Sequence, residues 1–117
     1  MKIELITQSK FESEKEALKT DGARREREVE NHHGIEIEVY YGYLFDGYEI
    51  CIARCKDNYF SVLFDDHDIE DSEMNVDELI EAQAAFAFKA AIWRELEIEE
   101  EAQREDYGEL IWVSAKG

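Results

Sequence analysis

The fold is decided by residues 35–64, IEIEVYYGYLFDGYEICIARCKDNYFSVLF, where apolar and polar side chains alternate on both sides of a short turn sequence. Such alternation is typical of half-buried β-strands. The segment Phe45-Asp46-Gly47-Tyr48 favours a two-residue hairpin, because a type I′ turn needs positive φ at both central positions. The sequence therefore predicts an antiparallel hairpin that turns at Asp46-Gly47.

The predicted turn also fixes the register of the hairpin, since the pairing of every later residue follows from it. The predicted cross-strand pairs are Phe45 with Tyr48, Tyr43 with Ile50, and Tyr41 with Ile52. One face is then apolar and carries Ile35, Ile37, Val39, Tyr41, Tyr43, Phe45, Tyr48, Ile50 and Ile52. The other face carries Glu36, Glu38, Tyr40, Glu49, Cys51 and Cys55, and half-buried thiols are expected there rather than a disulfide.

A third strand follows from a three-residue turn at 56–58. This turn places Phe60, Val62 and Phe64 on the same apolar face. The product is an antiparallel meander with one apolar side, which another layer must cover.

The predicted cover is a long helix over about 76–104. Asn75 is a suitable N-cap, and Glu78 three residues later completes a capping-box pattern. Residues at helical spacing form one apolar stripe: Val76, Leu79, Ile80, Gln83, Phe86, Ala87, Ala90 and Trp93. Phe88, Ile92 and Leu96 widen that stripe, and we expect them to pack on the first helix or on a partner chain.

The N-terminal part predicts a short strand at 2–6 and a helical segment from Ser9 to about Asn31. Asp21-Gly22 is a possible break within that segment. Near the C-terminus, residues 110–113 are predicted to form a final strand or an extended tail. No proline, low-complexity linker or internal repeat interrupts the chain. We therefore predict a single α+β domain over 1–117, with a three- to four-stranded meander at about 35–64.

The charge of the chain narrows the classes of partner. Thirteen basic and thirty acidic residues give a formal net charge of −17. Such a charge opposes direct binding to nucleic acid and to anionic membranes, both of which select for Lys and Arg. Basic protein surfaces are the expected partners. No apolar run approaches the ~20 residues that span a bilayer, and no signal peptide is expected at the N-terminus, which together predict a cytoplasmic protein.

The acidic residues are concentrated in the C-terminal half. Between Asp65 and Glu109 there are seventeen acidic and three basic residues. The first acidic cluster comprises Asp65, Asp66, Asp68, Glu70, Asp71 and Glu73. The second acidic cluster comprises Glu95, Glu97, Glu99, Glu100, Glu101, Glu105 and Asp106. Two interpretations stay open: a solvated surface that maintains solubility, or a partner-binding surface that imitates the phosphates of nucleic acid.

Metal and cofactor chemistry is not indicated by the sequence. Asp66, Asp68 and Glu70 alternate as in a calcium-binding loop, but Asp71 stands where that loop needs glycine and Asp77 where it needs glutamate. The His and Cys residues lack the spacing of a zinc site. No catalytic motif or phosphate-binding glycine loop is present. We therefore expect no metal, no cofactor and no enzymatic activity.

Two functional hypotheses follow from these patterns. The first is a non-enzymatic inhibitor or adaptor whose acidic clusters occupy the basic groove of a nuclease or another nucleic-acid-binding protein. A phage or mobile-element protein that opposes restriction or a CRISPR-type defence fits this size and charge. The second is a small structural or assembly subunit, monomeric or homodimeric, in which the charge serves only solubility.

Overall fold

The computed structural model describes residues 2–32, 34–64, 74–95 and 111–114. Eight elements are formed by these residues: β1 (Lys2–Ile6), α1 (Gln8–Asp21), β2 (Gly22–His32), β3 (Ile35–Leu44), β4 (Glu49–Cys55), β5 (Asn58–Leu63), α2 (Val76–Glu95) and β6 (Ile111–Ser114). The strands form one sheet in the order β2-β3-β4-β5-β1-β6. Neighbouring strands are antiparallel except β1 and β6, which are parallel. The predicted α+β class and the meander are confirmed.

The two helices lie on opposite faces of the sheet. Helix α2 covers one face, where its alanines allow close approach to β3, β4 and β5. Helix α1 covers the other face, where Phe11 and Leu18 pack against Ile50 and Ile52. Both faces of the central strands are therefore buried, and the domain has two apolar cores separated by the sheet.

Helix α2 begins as the sequence predicts. The Glu78 amide donates to Asn75 Oδ1 at 2.9 Å, and Asn75 Nδ2 donates to Glu78 Oε1 at 3.2 Å. The expectation that Phe88 packs on the first helix or a partner chain is wrong, because Phe88 is 5% exposed within the core beneath α2. The predicted helical residues 96–104 lie outside the described part of the chain.

The register of the hairpin between β3 and β4 is shifted by one residue from the predicted register. The Gly47 amide donates to Leu44 O at 2.9 Å and the Leu44 amide to Tyr48 O at 2.9 Å. The loop therefore holds three residues, 45–47, with Gly47 at φ 90°. This is the geometry of a type I turn followed by a left-handed glycine. Asp46 has no positive φ, so the predicted type I′ turn does not form.

The one-residue shift moves the side chains of β4 to the opposite face from that predicted. Tyr41 pairs with Cys51 rather than Ile52, and Tyr43 pairs with Glu49 rather than Ile50. The isoleucines thus enter the core beneath α1, while both cysteines enter the core beneath α2 and form no disulfide.

The two residues of the predicted apolar face at the tip of this hairpin are exposed rather than buried. Phe45 is 79% exposed in the loop, and Tyr48 is 54% exposed where it borders Lys10 and Glu14 of α1. The cysteines, by contrast, are fully buried rather than half-buried.

The turn between β4 and β5 compensates for the first shift. Cys55 pairs with Asn58, so the turn has two residues rather than the predicted three, with Lys56 at φ 55°. Because the two offsets cancel, Phe60 and Val62 lie on the same face as Val39, as predicted.

The prediction that the N-terminal helix continues to about Asn31 is wrong beyond Asp21. Helix α1 ends where the Gly22 amide bonds to Leu18 O. Residues 22–32 form β2, which pairs with β3 along its length. The Arg and Glu residues of this segment alternate with the period of a strand. Backbone hydrogen bonds to β3 stabilise the strand more than the weak local helical preference of this segment stabilises a helix.

Gly42 of β3 gives a test of this pairing. A Cβ added at Gly42 would lie 2.0 Å from the Arg24 carbonyl oxygen, beside the irregularity where β2 begins to pair. We expect Gly42→Ala to lower the free energy of unfolding by about 3 kcal/mol, because the backbones of β2 and β3 must separate. Chemical denaturation followed by circular dichroism measures this change.

Gly47→Ala is the matched control for that substitution. Gly47 has positive φ but nothing within 4 Å of an added Cβ, so only backbone strain of about 1 kcal/mol is expected. An equal effect of the two substitutions would contradict the close approach of β2 to Gly42.

Candidate functional site

From Arg25 onward, strand β2 places its arginines on one face of the sheet and its glutamates on the other. It lies at the edge of the sheet and pairs with β3 alone among the described strands. Arg27 pairs with Tyr40 on the α1 face, and Glu28 pairs with Val39 on the α2 face. Because successive side chains of a strand alternate, Arg25 shares the α1 face with Arg27. The glutamates at 26, 28 and 30 share the α2 face.

A surface cavity of about 550 Å³ lies between β2 and α2, and we name it the acidic groove. Its lining residues are Glu28, Glu30, Tyr41, Glu81, Ala84, Ala85, Phe88, Lys89 and Ile92. Three carboxylates and one ammonium group surround an apolar floor, which includes the buried rings of Tyr41 and Phe88. The arrangement suits a cationic ligand that has an apolar part.

One end of the acidic groove is held by Arg24. Its guanidinium donates to Asp77 Oδ1 and to Glu81 Oε1, each at 2.8 Å. These bonds, first to Glu81 and then to Asp77, raise the pKa of Arg24. Both acidic partners lie on the first turns of α2, so the charged pairs fix the start of this helix against β2.

The Glu28 carboxylate is held at the rim by a tyrosine. Tyr41 is 4% exposed, and its hydroxyl donates to Glu28 Oε1 at 2.6 Å. Burial, followed by the bond to Glu28, raises the pKa of Tyr41. Tyr41 therefore stays a neutral donor near pH 7, and the carboxylate has a defined position.

A second cavity, of about 720 Å³, lies on the other face between α1 and β2, and we name it the cationic cavity. Its lining residues are Glu12, Lys15, Glu16, Leu18, Lys19, Arg25, Glu26, Arg27 and Tyr40. The side chain of Glu26 belongs to the other face, where its Oε1 lies 3.8 Å from Arg24 Nε. Four basic side chains thus meet the carboxylates of Glu12 and Glu16.

A buried carboxylate, Glu38, lies beside the cationic cavity and binds three donors. The Tyr40 hydroxyl donates to Glu38 Oε1, and Arg27 Nε donates to the same oxygen at 3.1 Å. Arg54 donates to Glu38 Oε2 through Nε at 3.2 Å and through a terminal nitrogen at 2.9 Å. Burial alone would raise the pKa of Glu38, but these three partners outweigh it and lower the pKa to about 2.

Most of the carboxylates predicted as partner-binding lie outside the described residues. These are Asp65, Asp66, Asp68, Glu70, Asp71 and Glu73 of the first acidic cluster, and Glu97, Glu99, Glu100, Glu101, Glu105 and Asp106 of the second. Glu95 is the last residue of α2. Whether the two clusters share one surface stays a prediction.

The sequence reasoning missed both cavities because it assigned β2 to a helix. The alternation of Arg and Glu over residues 25–28 was the available signal. As a strand, this segment separates the charges by face, whereas a helix would mix them.

Two further properties concern the described residues only. Neither α1 nor α2 is long and apolar enough to cross a membrane. No group of three or more His, Cys, Asp or Glu side chains in residues 2–32, 34–64 and 74–95 is placed to hold a metal ion. Comparison with protein-family models, curated proteins and solved structures finds no significant match to this chain.

The Glu38 network predicts a specific pH dependence of stability. Because folding lowers the pKa of Glu38 from 4.5 to about 2, its contribution is complete above pH 4.5 and is lost as the pH falls toward 2. The shift corresponds to about 3 kcal/mol of unfolding free energy. Glu38→Gln should therefore destabilise the domain by about this amount at pH 7, and the difference from wild type should vanish near pH 2.

Urea denaturation of both proteins between pH 2 and pH 7 measures that difference. Glu36→Gln is the control, because Glu36 binds Arg54 at 3.2 Å with a side chain that is 57% exposed. Its loss should cost less than about 1 kcal/mol. A pH-independent difference between wild type and Glu38→Gln would show that the buried charge contributes nothing.

Proposed function

We propose that this domain is a non-enzymatic protein-binding module that takes a basic segment of a partner protein in the acidic groove. The observation that carries the proposal is the groove itself, in which Glu28 and Glu81 stand at the rim of an apolar floor. Their positions are set by Tyr41 and Arg24, so the carboxylates are presented in a fixed arrangement.

The carboxylates and the apolar floor of the acidic groove have different roles in binding a basic segment. An exposed ion pair contributes only about 0.2–1 kcal/mol, so the carboxylates supply orientation and selectivity rather than most of the affinity. The apolar floor around Phe88 accepts the aliphatic stems of Lys and Arg, which bury readily while their charged ends remain solvated. A segment that interleaves basic and apolar residues satisfies both requirements.

The finer proposal concerns the identity of the partner. The net charge of −17 favours a nuclease or another nucleic-acid-binding protein, whose phosphate-binding groove is basic. Occupation of that groove by this domain excludes the nucleic acid, as an anti-restriction or anti-CRISPR-type inhibitor from a phage or mobile element would do. The proposal includes a cytoplasmic location.

The alternative is a homodimer, and the charges on the edge strand β2 do not favour one formed by pairing two copies of this strand. A symmetric antiparallel pairing of β2 with a second β2 places residues of the same face opposite each other. Centred on Arg27, it sets Arg27 against itself and Glu26 against Glu28, and the single attractive pair is Arg24 with Glu30. Centred on Glu28, it sets Glu26 against Glu30. Like charges directly opposite destabilise a sheet, so the edge charges disfavour self-association.

A labelled peptide of about twelve alternating lysine and leucine residues tests the acidic groove by fluorescence anisotropy. The double variant Glu28→Gln and Glu81→Gln should weaken binding about tenfold, since both substitutions remove charge while keeping acceptors for Tyr41 and Arg24. Added salt should weaken wild-type binding in the same direction.

The matched control is Glu36→Gln with Asp57→Asn, which removes the same net charge from exposed sites outside the groove. Binding should change less than about twofold. An equal loss in the two double variants would mean that the peptide responds to net charge alone, and the groove proposal would fail.

Displacement of nucleic acid tests the finer proposal. Purified nucleases and restriction proteins loaded with a labelled DNA duplex should release the DNA when this domain is added. Charge reversal of Glu97, Glu99, Glu100 and Glu101 should weaken the release if the second acidic cluster contributes to binding. Retention of DNA by every protein in the panel, at low salt as well as high, would count against nucleic-acid mimicry while leaving the peptide result intact.

A further inference from the structure

The cationic cavity reverses the charge balance of the protein. Four of the thirteen basic residues of the chain line it. The carboxylates that oppose these cations are those of Glu12 and Glu16 at the cavity and of Glu38 beneath Arg27, because Glu26 is directed to the other face. Elsewhere in the chain acidic residues outnumber basic ones about threefold. A local excess of positive charge on such a protein is a specific feature that overall composition does not explain.

The cations of the cavity come from two elements and meet at one aromatic ring. Lys15 of α1 lies 5.5 Å from the ring centroid of Tyr40, and the guanidinium carbon of Arg27 lies 5.8 Å from it. Lys15 also binds Glu12 at 2.8 Å. Lys19 and Arg25 stand nearby, where Arg25 donates to the Lys19 carbonyl oxygen. The cavity therefore has an aromatic wall with two cationic groups close to its ring.

Arg27 is oriented from beneath by Glu38 and Tyr40. Both bonds use Nε of the guanidinium, at 3.1 Å to Glu38 Oε1 and at 3.1 Å to the Tyr40 hydroxyl. They do not use its two terminal nitrogens, and the side chain is 56% exposed. A guanidinium held in this way is ready to bind a carboxylate or phosphate through two parallel hydrogen bonds.

We infer that the cationic cavity binds a small anion with two or more negative charges, held by Arg27, Lys19 and Arg25 against the wall formed by Tyr40 and Leu18. The volume of about 720 Å³ lies within the range of small-molecule sites. A large polyanion does not fit this site, because it would extend beyond the cavity into the surrounding negative potential. The shared ligand chemistry is that of clustered phosphate or carboxylate groups.

Isothermal titration calorimetry with inorganic pyrophosphate and, separately, with citrate tests the inference at physiological ionic strength. Saturable binding of at least one probe is expected at millimolar concentration or below. Preference between the probes distinguishes a phosphate ligand from a carboxylate ligand. The absence of saturable heat with both probes up to about 10 mM would overturn the inference.

Arg27→Gln and Arg54→Gln form a matched pair of variants. Both arginines bind Glu38, but only Arg27 lines the cavity. Arg27→Gln should weaken the affinity for the bound probe at least about tenfold, while Arg54→Gln should leave it within about twofold. Equal losses in the two variants would overturn the inference, since they would show that the network acts only through stability.

Lys19→Gln keeps the test decisive if Arg27→Gln fails to fold. Lys19 is exposed on the last turn of α1, and its loss should weaken probe binding about threefold. Unchanged binding in this variant would remove Lys19 from the site and contradict the proposed ligand position. None of these substitutions touches the acidic groove, so the basic peptide should bind each variant as it binds wild type.

Discussion

The three-residue loop at 45–47 is the constraint on which the rest of the sheet depends. Its left-handed glycine sets the register of β4 against β3, and that register decides which side chains meet which helix. Ile50 and Ile52 reach α1 only because the loop has three residues, so α1 has an apolar surface on which to pack. Both layers of cover therefore depend on the conformation of one turn.

The position of α1 in turn determines the chemistry of β2. Because a helix lies on each face of the sheet, the two faces of the edge strand β2 lie beside different helices. Its alternating charged side chains are therefore divided between the α1 side and the α2 side. Arg24 is joined to α2, whereas Arg27 faces the side covered by α1. The same division explains how Glu38 is retained in a nearly buried position: its three donors come from β2, β3 and β4, so the cost of burying the charge is offset by partners on rigid strands.

The sequence predicts which helices and strands form better than it predicts how the strands pair. The meander, the start of α2 at Asn75 and the common face of Phe60 and Val62 all follow from local patterns. The register at Gly47 does not, because two-residue and three-residue loops both place glycine at this position and differ in the conformation of Phe45 and Asp46. Strand β2 is missed for another reason: its alternation is between opposite charges rather than between apolar and polar side chains, and pairing with β3 selects the strand.

The burial of Cys51 and Cys55 gives the molecule an internal reporter. They are the only two cysteines in the sequence, both lie in the core beneath α2, and burial raises the pKa of Cys51. A thiol in that state reacts slowly, because reaction requires a solvent-accessible thiolate. The rate of alkylation in the native protein therefore follows the separation of α2 from the sheet, and it measures the opening of that layer without an introduced label.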